Sequence, residues 1–552
     1  MLYGMGRRGD MAEQWNFANI WDEIARRFPQ RSALVHGDRD ISWGELGVAA
    51  NGLARTLTEA GLSHQGKVAL YQRNSPSYLV SLYGVFAAAL VPVNTNFRYG
   101  ADELTYLWAD SDTEAVIFDA EFTEMAGRVR PSVPKVRAWI CTGPAADCPT
   151  WAIPYQEAVA DPGGAFASPA RSGDDLFLLY TGGTTGKPKG VMWRQDDLFR
   201  SLEHQQGTML PEPADAGAFV DQFAGKPVRV LPAAPLMHGT ACWFVMPVLA
   251  RGGSVVTLTS HSLDAAELLD AIVARQVKGL CIAGNAFARP LLDALDANPG
   301  RWDLSGLRAI STSGAVLSED NKRRLMAYAP RTIIVDSLGS SESGSIARAI
   351  SKDAASAGSK AAFTPSSNAR VVDEEGRDVA PGSGRAGRLA LSGFIPVGYY
   401  GDEEKTAATF VTLGGRRYVI PGDLAEVAAD GTIQLLGRGS SCINTAGEKV
   451  YPEEVEEVLK TLPGVLDAGV FGIPDGRLGE AVTAVVLLDP ETELDEPGLI
   501  RGVKQKLAGY KAPRRVFATT SFPRGPNGKL EFAKLRAIAA DGMRHSASSE
   551  AN

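Results

Sequence analysis

Four times between residues 175 and 344 a short apolar run empties into a loop rich in glycine, serine and threonine. Residues 175–180 (DLFLLY) lead into TGGTTGKPKG, and residues 228–235 (VRVLPAAP) into LMHGT. Residues 307–311 (LRAIS) lead into TSGAVLSEDNKRRLMAY, and residues 331–335 (RTIIV) into DSLGSSESG. Strand-like runs of this kind, separated by helical stretches, build layered α/β folds. In open α/β sheets ligands collect beyond the strand ends. The four loops are therefore expected to converge on one site.

Further along, residues 384–401 and 418–437 read as short strands with turns, a small β subdomain. After GRGSS (437–441) comes a compact α+β pattern. Helices are expected over 453–462 and 497–511, and strands over 465–473 and 480–488. At 552 residues the chain exceeds one ordinary core. The expected organisation is a large domain over 1–437, a hinge over 438–441, a small mobile domain over 442–541 and a disordered tail over 542–552.

Composition narrows the function classes. The net charge of −8 lacks the clustered cations a nucleic-acid surface needs. The five cysteines are scattered without metal spacing, as expected of a reducing cytoplasm. The N-terminal residues lack a signal-peptide core. Residues 77–93 (SYLVSLYGVFAAALVPV) are too short to span a membrane and read as a buried helix stopped by Pro92.

Residues 180–190, YTGGTTGKPKG, look built to hold phosphate. The P-loop pattern G-x-x-x-x-G-K-[ST] fails here: the glycine spacing is too short, and Pro188 stands where the hydroxyl for Mg²⁺ is needed. Another phosphate loop remains, and other motifs follow it in order: PLMHGT, SLGSSESG, GYYGD, YVIPGDLAEV, GRGSSCINTAGEKVYPEEVE and PRGPNGKLEF. This series resembles the adenylate-forming superfamily of acyl-CoA synthetases, luciferases and peptide-synthetase adenylation domains, over residues 17 to 537.

The resemblance implies that the loop grips the β- and γ-phosphates of ATP while chemistry occurs at the α-phosphate. Thr181, Thr184 and Thr185 would supply hydroxyls, Gly182 and Gly183 backbone N–H groups, and Lys189 positive charge. Gly183 replaces a serine common in relatives. Glu342 would help hold Mg²⁺, with Ser341 near the phosphates. Asp336, Ser337, Leu338 and Gly339 match the adenine pocket, although relatives usually carry an aromatic where Leu338 stands. Asp423 and Arg438 match the residues that reach the ribose. Lys529 matches the lysine whose ammonium stabilises charge gathering during adenylation.

Relatives then swing the small domain so that Gly447, in TAGEKVYPEEVE, lines a tunnel for the thiol of CoA. His238 matches a position at the junction of acyl pocket and nucleotide. Ser440 and Asn444 depart from the residues usual at the hinge and beside it. The acyl pocket would lie beside Trp243, Asn285, Phe287, Gly314 and Ala315. These matching segments lack the aspartate with which amino-acid-activating relatives grip an α-amino group, which favours an apolar acid. Residues 180–199 and 440–456 look most like synthetases for fatty acids and steroid side-chain acids. The resemblance thus implies a ligase taking a carboxylic acid, ATP with Mg²⁺, and CoA. A carrier-protein acceptor, a luciferase-like oxygenase, a non-catalytic binder and assembly into a homo-oligomer stay open.

Overall fold

The computed structural model describes residues 14–160, 169–182, 187–314, 317–353, 356, 362–438, 443–450, 452–522 and 532–549. The strand Lys67–Tyr71 shows how its layers arise. Val68 and Leu70 enter one hydrophobic cluster while Ala69 and Tyr71 enter another, because successive strand side chains face opposite sides. Leu34, Val230, Val255 and Cys281 part from Val35, Leu231, Val256 and Ile282 in the same way. Two sheets, of eight and nine strands, are therefore buried on both faces. The helices Phe17–Arg27, Trp43–Glu59 and Pro76–Ala87 share the cluster between them.

The nine-stranded sheet has a parallel centre, in which Arg229–Pro232, Gly279–Ile282, Ala309–Ser313 and Ile333–Ser340 are successive neighbours. A third, six-stranded sheet is antiparallel and includes Ala386–Ser392, Asp423–Val427 and Ile433–Arg438. The C-terminal portion is a five-stranded sheet with the helices Pro452–Lys460, Glu496–Lys506 and Phe532–Ser549. The fold is thus mixed α/β, a large N-terminal part followed by a small α+β part.

Local departures from the sequence reading have physical causes. Residues 77–93 divide into a helix ending at Ala87 and a strand, Val91–Asn94. Ser75 caps that helix by accepting from the Tyr78 N–H, and it is buried all round as a core helix should be. The stretch DSLGS, expected as loop, continues the strand Ile333–Ser340, because Ala309–Ser313 and Gly344–Ser351 pair with it on both sides. The helix expected over 497–511 ends at Lys506, and a separate 3₁₀ turn, Gly509–Lys511, follows. The last helix reaches Ser549, beyond the domain end expected at 541. Gly542 lies so close to the Phe517 ring that a Cβ would meet it at 2.5 Å, and Met543 packs against the same cluster. No helix among the described residues is long and apolar enough to cross a membrane.

Candidate active site

A cavity of about 540 Å³ opens where the strand ends of the large part meet the small C-terminal part. One end is the hairpin Leu176–Gly182/Pro188–Arg194, expected to hold phosphate, which places Thr181 opposite Lys189 and Gly182 opposite Pro188. Thr181 and Lys189 line the cavity. The Lys189 ammonium pairs with Asp402, and that hydrogen bond chiefly holds the Asp402 carboxyl below its usual range. Gly183, Thr184 and Thr185 lie outside the described residues. Asn94, which the sequence reading missed, ties this hairpin to the next loop. Its Nδ2 donates to the carbonyls of Tyr180 (3.1 Å) and Met237 (2.7 Å), and its Oδ1 accepts from the Tyr180 N–H.

The strand Ile333–Ser340 splits its predicted residues between two faces. Ser337 and Gly339 line the cavity. Asp336 turns the other way to pair with Lys322 at 2.6 Å, and burial pushes its carboxyl up despite that cation. Leu338 packs against the central cluster. In the tight turn beyond, the Ser341 carbonyl accepts from the Trp193 indole at 2.9 Å. Glu342 Oε1 accepts from the Tyr399 hydroxyl, also at 2.9 Å. A half-buried carboxylate on the cavity wall is a hard oxygen donor of the type Mg²⁺ prefers, and Mg²⁺ needs only one or two such groups when phosphates and water complete its shell.

Asp423 is buried at the start of Asp423–Val427, directly after the cavity-lining Pro421 and Gly422. Strand register sets it opposite Arg438, so the two expected ribose residues are neighbours. The helix Gly239–Ala250 brings Trp243 to the wall, with its ring edge-on to Trp193 at 5.7 Å. Gly314, at φ +79, also lines the cavity. Asn285 serves elsewhere: its Oδ1 accepts from Ser318 N (2.9 Å) and Asn321 Nδ2 (2.8 Å), joining two helices. Ala315 and Lys529 lie outside the described residues.

The C-terminal part closes the cavity with the hairpin Ile443–Thr445/Glu448–Val450. Its two-residue turn, Ala446–Gly447, has φ of 52 and 83. A Cβ on Gly447 would lie 3.1 Å from Ala283 Cβ and 3.7 Å from the Phe287 ring. Glu448, 5% exposed, reaches His238 Nε2 at 3.2 Å and pairs with Arg98. Burial alone would raise its carboxyl, but the charges of His238, Arg98 and Lys511 outweigh this and hold it below the usual range. Behind it, Lys511 Nζ sits 2.8 Å from both Glu103 and Glu454. Asn96 Nδ2 donates to the Tyr510 hydroxyl at 3.1 Å. Glu448 and Glu454 lie within the motif at 437–456, whereas Asn96, Arg98, Glu103, Tyr510 and Lys511 belong to none of the motifs read from the sequence.

Comparison with known proteins agrees with this architecture. The model for AMP-binding enzymes matches residues 21–400, and that for the AMP-binding enzyme C-terminal domain matches 454–529. The chain belongs to the family of AMP-binding enzymes. A 3-oxocholest-4-en-26-oate–CoA ligase of Rhodococcus rhodochrous is 39% identical over 526 residues, 94% of each chain. A medium/long-chain-fatty-acid–CoA/3-oxocholest-4-en-26-oate–CoA ligase of Mycobacterium marinum is 38% identical, over 95% of this chain and 96% of its own. Among solved structures, an amide bond synthetase from Marinactinospora thermotolerans superposes with a TM-score of 0.80 at 24% identity, over 95% of this chain and 99% of the other.

Proposed function

We propose that the chain is an ATP-dependent acid–thiol ligase that converts an apolar carboxylic acid, a fatty acid or a steroid side-chain acid, to its CoA thioester. The observation that carries this reading is the shared cavity. Its walls bring together Thr181 and Glu342, assigned to phosphate, Gly422 next to Asp423, assigned to ribose, Trp243, assigned to the acyl group, and His238, which meets Glu448 beside Gly447. In the first half-reaction a carboxylate oxygen attacks the α-phosphorus, its bond to pyrophosphate breaks, and acyl-AMP forms. In the second, the CoA thiolate attacks the acyl carbon and AMP departs.

The residues divide the labour accordingly. A carboxylate is already nucleophilic at neutral pH, so His238 is assigned to orienting it rather than to general-base catalysis. Lys529 is assigned the charge developing during adenylation. Glu342 would hold the Mg²⁺ that accompanies ATP, which offsets triphosphate charge when bound. Gly447, assigned to the thiol path, presents bare backbone in a turn packed closely against Ala283.

The test is AMP release from ATP and Mg²⁺ over a panel of fatty and steroid side-chain acids, with and without CoA. Release that requires both one acid class and CoA is the expected result. Pyrophosphate exchange without CoA-driven turnover would move the acceptor to a carrier protein. No exchange with any acid would overturn the ligase.

A further inference from the structure

Arg348 lies on the strand Gly344–Ser351, where register sets it beside the cavity-lining Ser337, and it lines the cavity itself. It stands four residues beyond Gly344, about 13 Å along the strand at about 3.3 Å per residue. Leu202, Trp243 and Phe244 line the same cavity.

Its guanidinium is held by Gln205, the last residue of the helix Gln195–Gln205. Nη1 donates to the Gln205 carbonyl, and Nη2 to its Oε1 at 3.0 Å. Nε is buried with no acceptor, and no carboxylate pairs with Arg348 among the described residues. The acids on the same helix are committed elsewhere: Glu203 to Arg251, Asp197 to Arg194 and Asp196 to Arg200. Desolvation without a partnering charge lowers the pKa of Arg348. A buried donor without an acceptor, on a half-buried cation, carries a free-energy penalty that a ligand oxygen would relieve.

We propose that Arg348, oriented by Gln205, is a specificity-determining residue that donates to a ketone oxygen at the end of the acid remote from its carboxylate. This rests on the ligase reading above. Each terminal nitrogen gives one N–H to Gln205, and Nε is the guanidinium nitrogen without an acceptor, so a single neutral ketone oxygen is enough to satisfy the orphaned donor. A ring ketone on a steroid side-chain acid has that placement, since its two oxygenated ends are opposite. A simple fatty acid has no such oxygen and leaves the donor unpaired.

The experiment compares kcat/KM of the wild-type enzyme for four acids: a 3-oxo steroid side-chain acid, the same acid without the ring oxygen, hexadecanoate and a long dicarboxylic acid. The keto acid is expected to exceed its deoxy analogue by about 10- to 100-fold, mostly through KM, as fits one hydrogen bond to a charged group. In Arg348→Met this ratio should fall to near one while hexadecanoate turnover persists, and Arg348→Lys should restore part of it. Equal handling of the steroid pair by wild type, or an equal loss on hexadecanoate, overturns the proposal. So does preference for a long dicarboxylic acid over the keto acid. The steroid comparison needs no variant, so misfolding of Arg348→Met leaves the test intact. CoA-dependent turnover of hexadecanoate with no gain from the ketone sinks this inference alone, whereas failure on every acid sinks the ligase reading and this inference with it.

Discussion

Gly447 shows how much one missing side chain decides. Its φ of 83 is open to glycine and strained for most other residues, and the turn it forms with Ala446 needs positive φ at both central positions. Space excludes a side chain independently, since even a Cβ would press on Ala283 at 3.1 Å. Gly447→Val would therefore strain the turn and push it off the large domain. Strain of about 1–3 kcal/mol, before any clash, corresponds to about 5- to 160-fold in rate. The expected loss falls on CoA transfer from preformed acyl-AMP, read in single turnover, with pyrophosphate exchange largely spared. Equal losses in the two half-reactions would contradict the part assigned to this turn.

At the scale of elements, the hairpin Ile443–Thr445/Glu448–Val450 is tied to the large domain through Glu448. A carboxylate whose folded pKa lies below its unfolded value of about 4.5 contributes docking stability that is fully present above that value. The contribution is lost as pH falls from there through the lower folded value. Hydrogen exchange of this hairpin, followed from neutral pH downward, should show protection declining below about pH 4.5. Glu448→Gln should remove that step, and a wild-type profile flat with pH would refute the link. The elements themselves were largely legible, because two-residue alternation and glycine-rich strand ends are local signals. The strand through DSLGS was not, since its serines and glycines lie extended only because strands pair on both sides. For the same reason Asp336 and Ser337 read as one patch in sequence, yet they face opposite sides of the sheet. The contacts of Glu448 escaped altogether, its partner Arg98 being 350 residues away.

Across the whole molecule the two parts meet on a buried charge cluster. Lys511, 3% exposed, lies between Glu454 of its own domain and Glu103 of the other, with its ammonium also 4.8 Å from the Tyr99 ring centroid. Burial alone would lower the lysine pKa, but Tyr99, Glu454 and Glu103 outweigh it, so the ammonium stays charged. Such a cluster is weak evidence for net stability, because desolvation of each ion opposes their attraction. It does bind the two parts at one point, since in this placement the lysine is paired from both sides. Glu103→Gln is the clean probe. It leaves the Lys511–Glu454 pair in place, keeps an acceptor for the Gly100 N–H, and removes only the charge that crosses the interface. Weakening one hydrogen bond to a charged group should destabilise the docked arrangement by about 1.5–3 kcal/mol, or about 10- to 100-fold in its population. With the thiol step assigned to this arrangement, CoA transfer should slow by up to that factor while pyrophosphate exchange holds or rises. Single-turnover rates for both half-reactions decide it: a uniform loss would make Glu103 a residue of the fold rather than of the docking equilibrium.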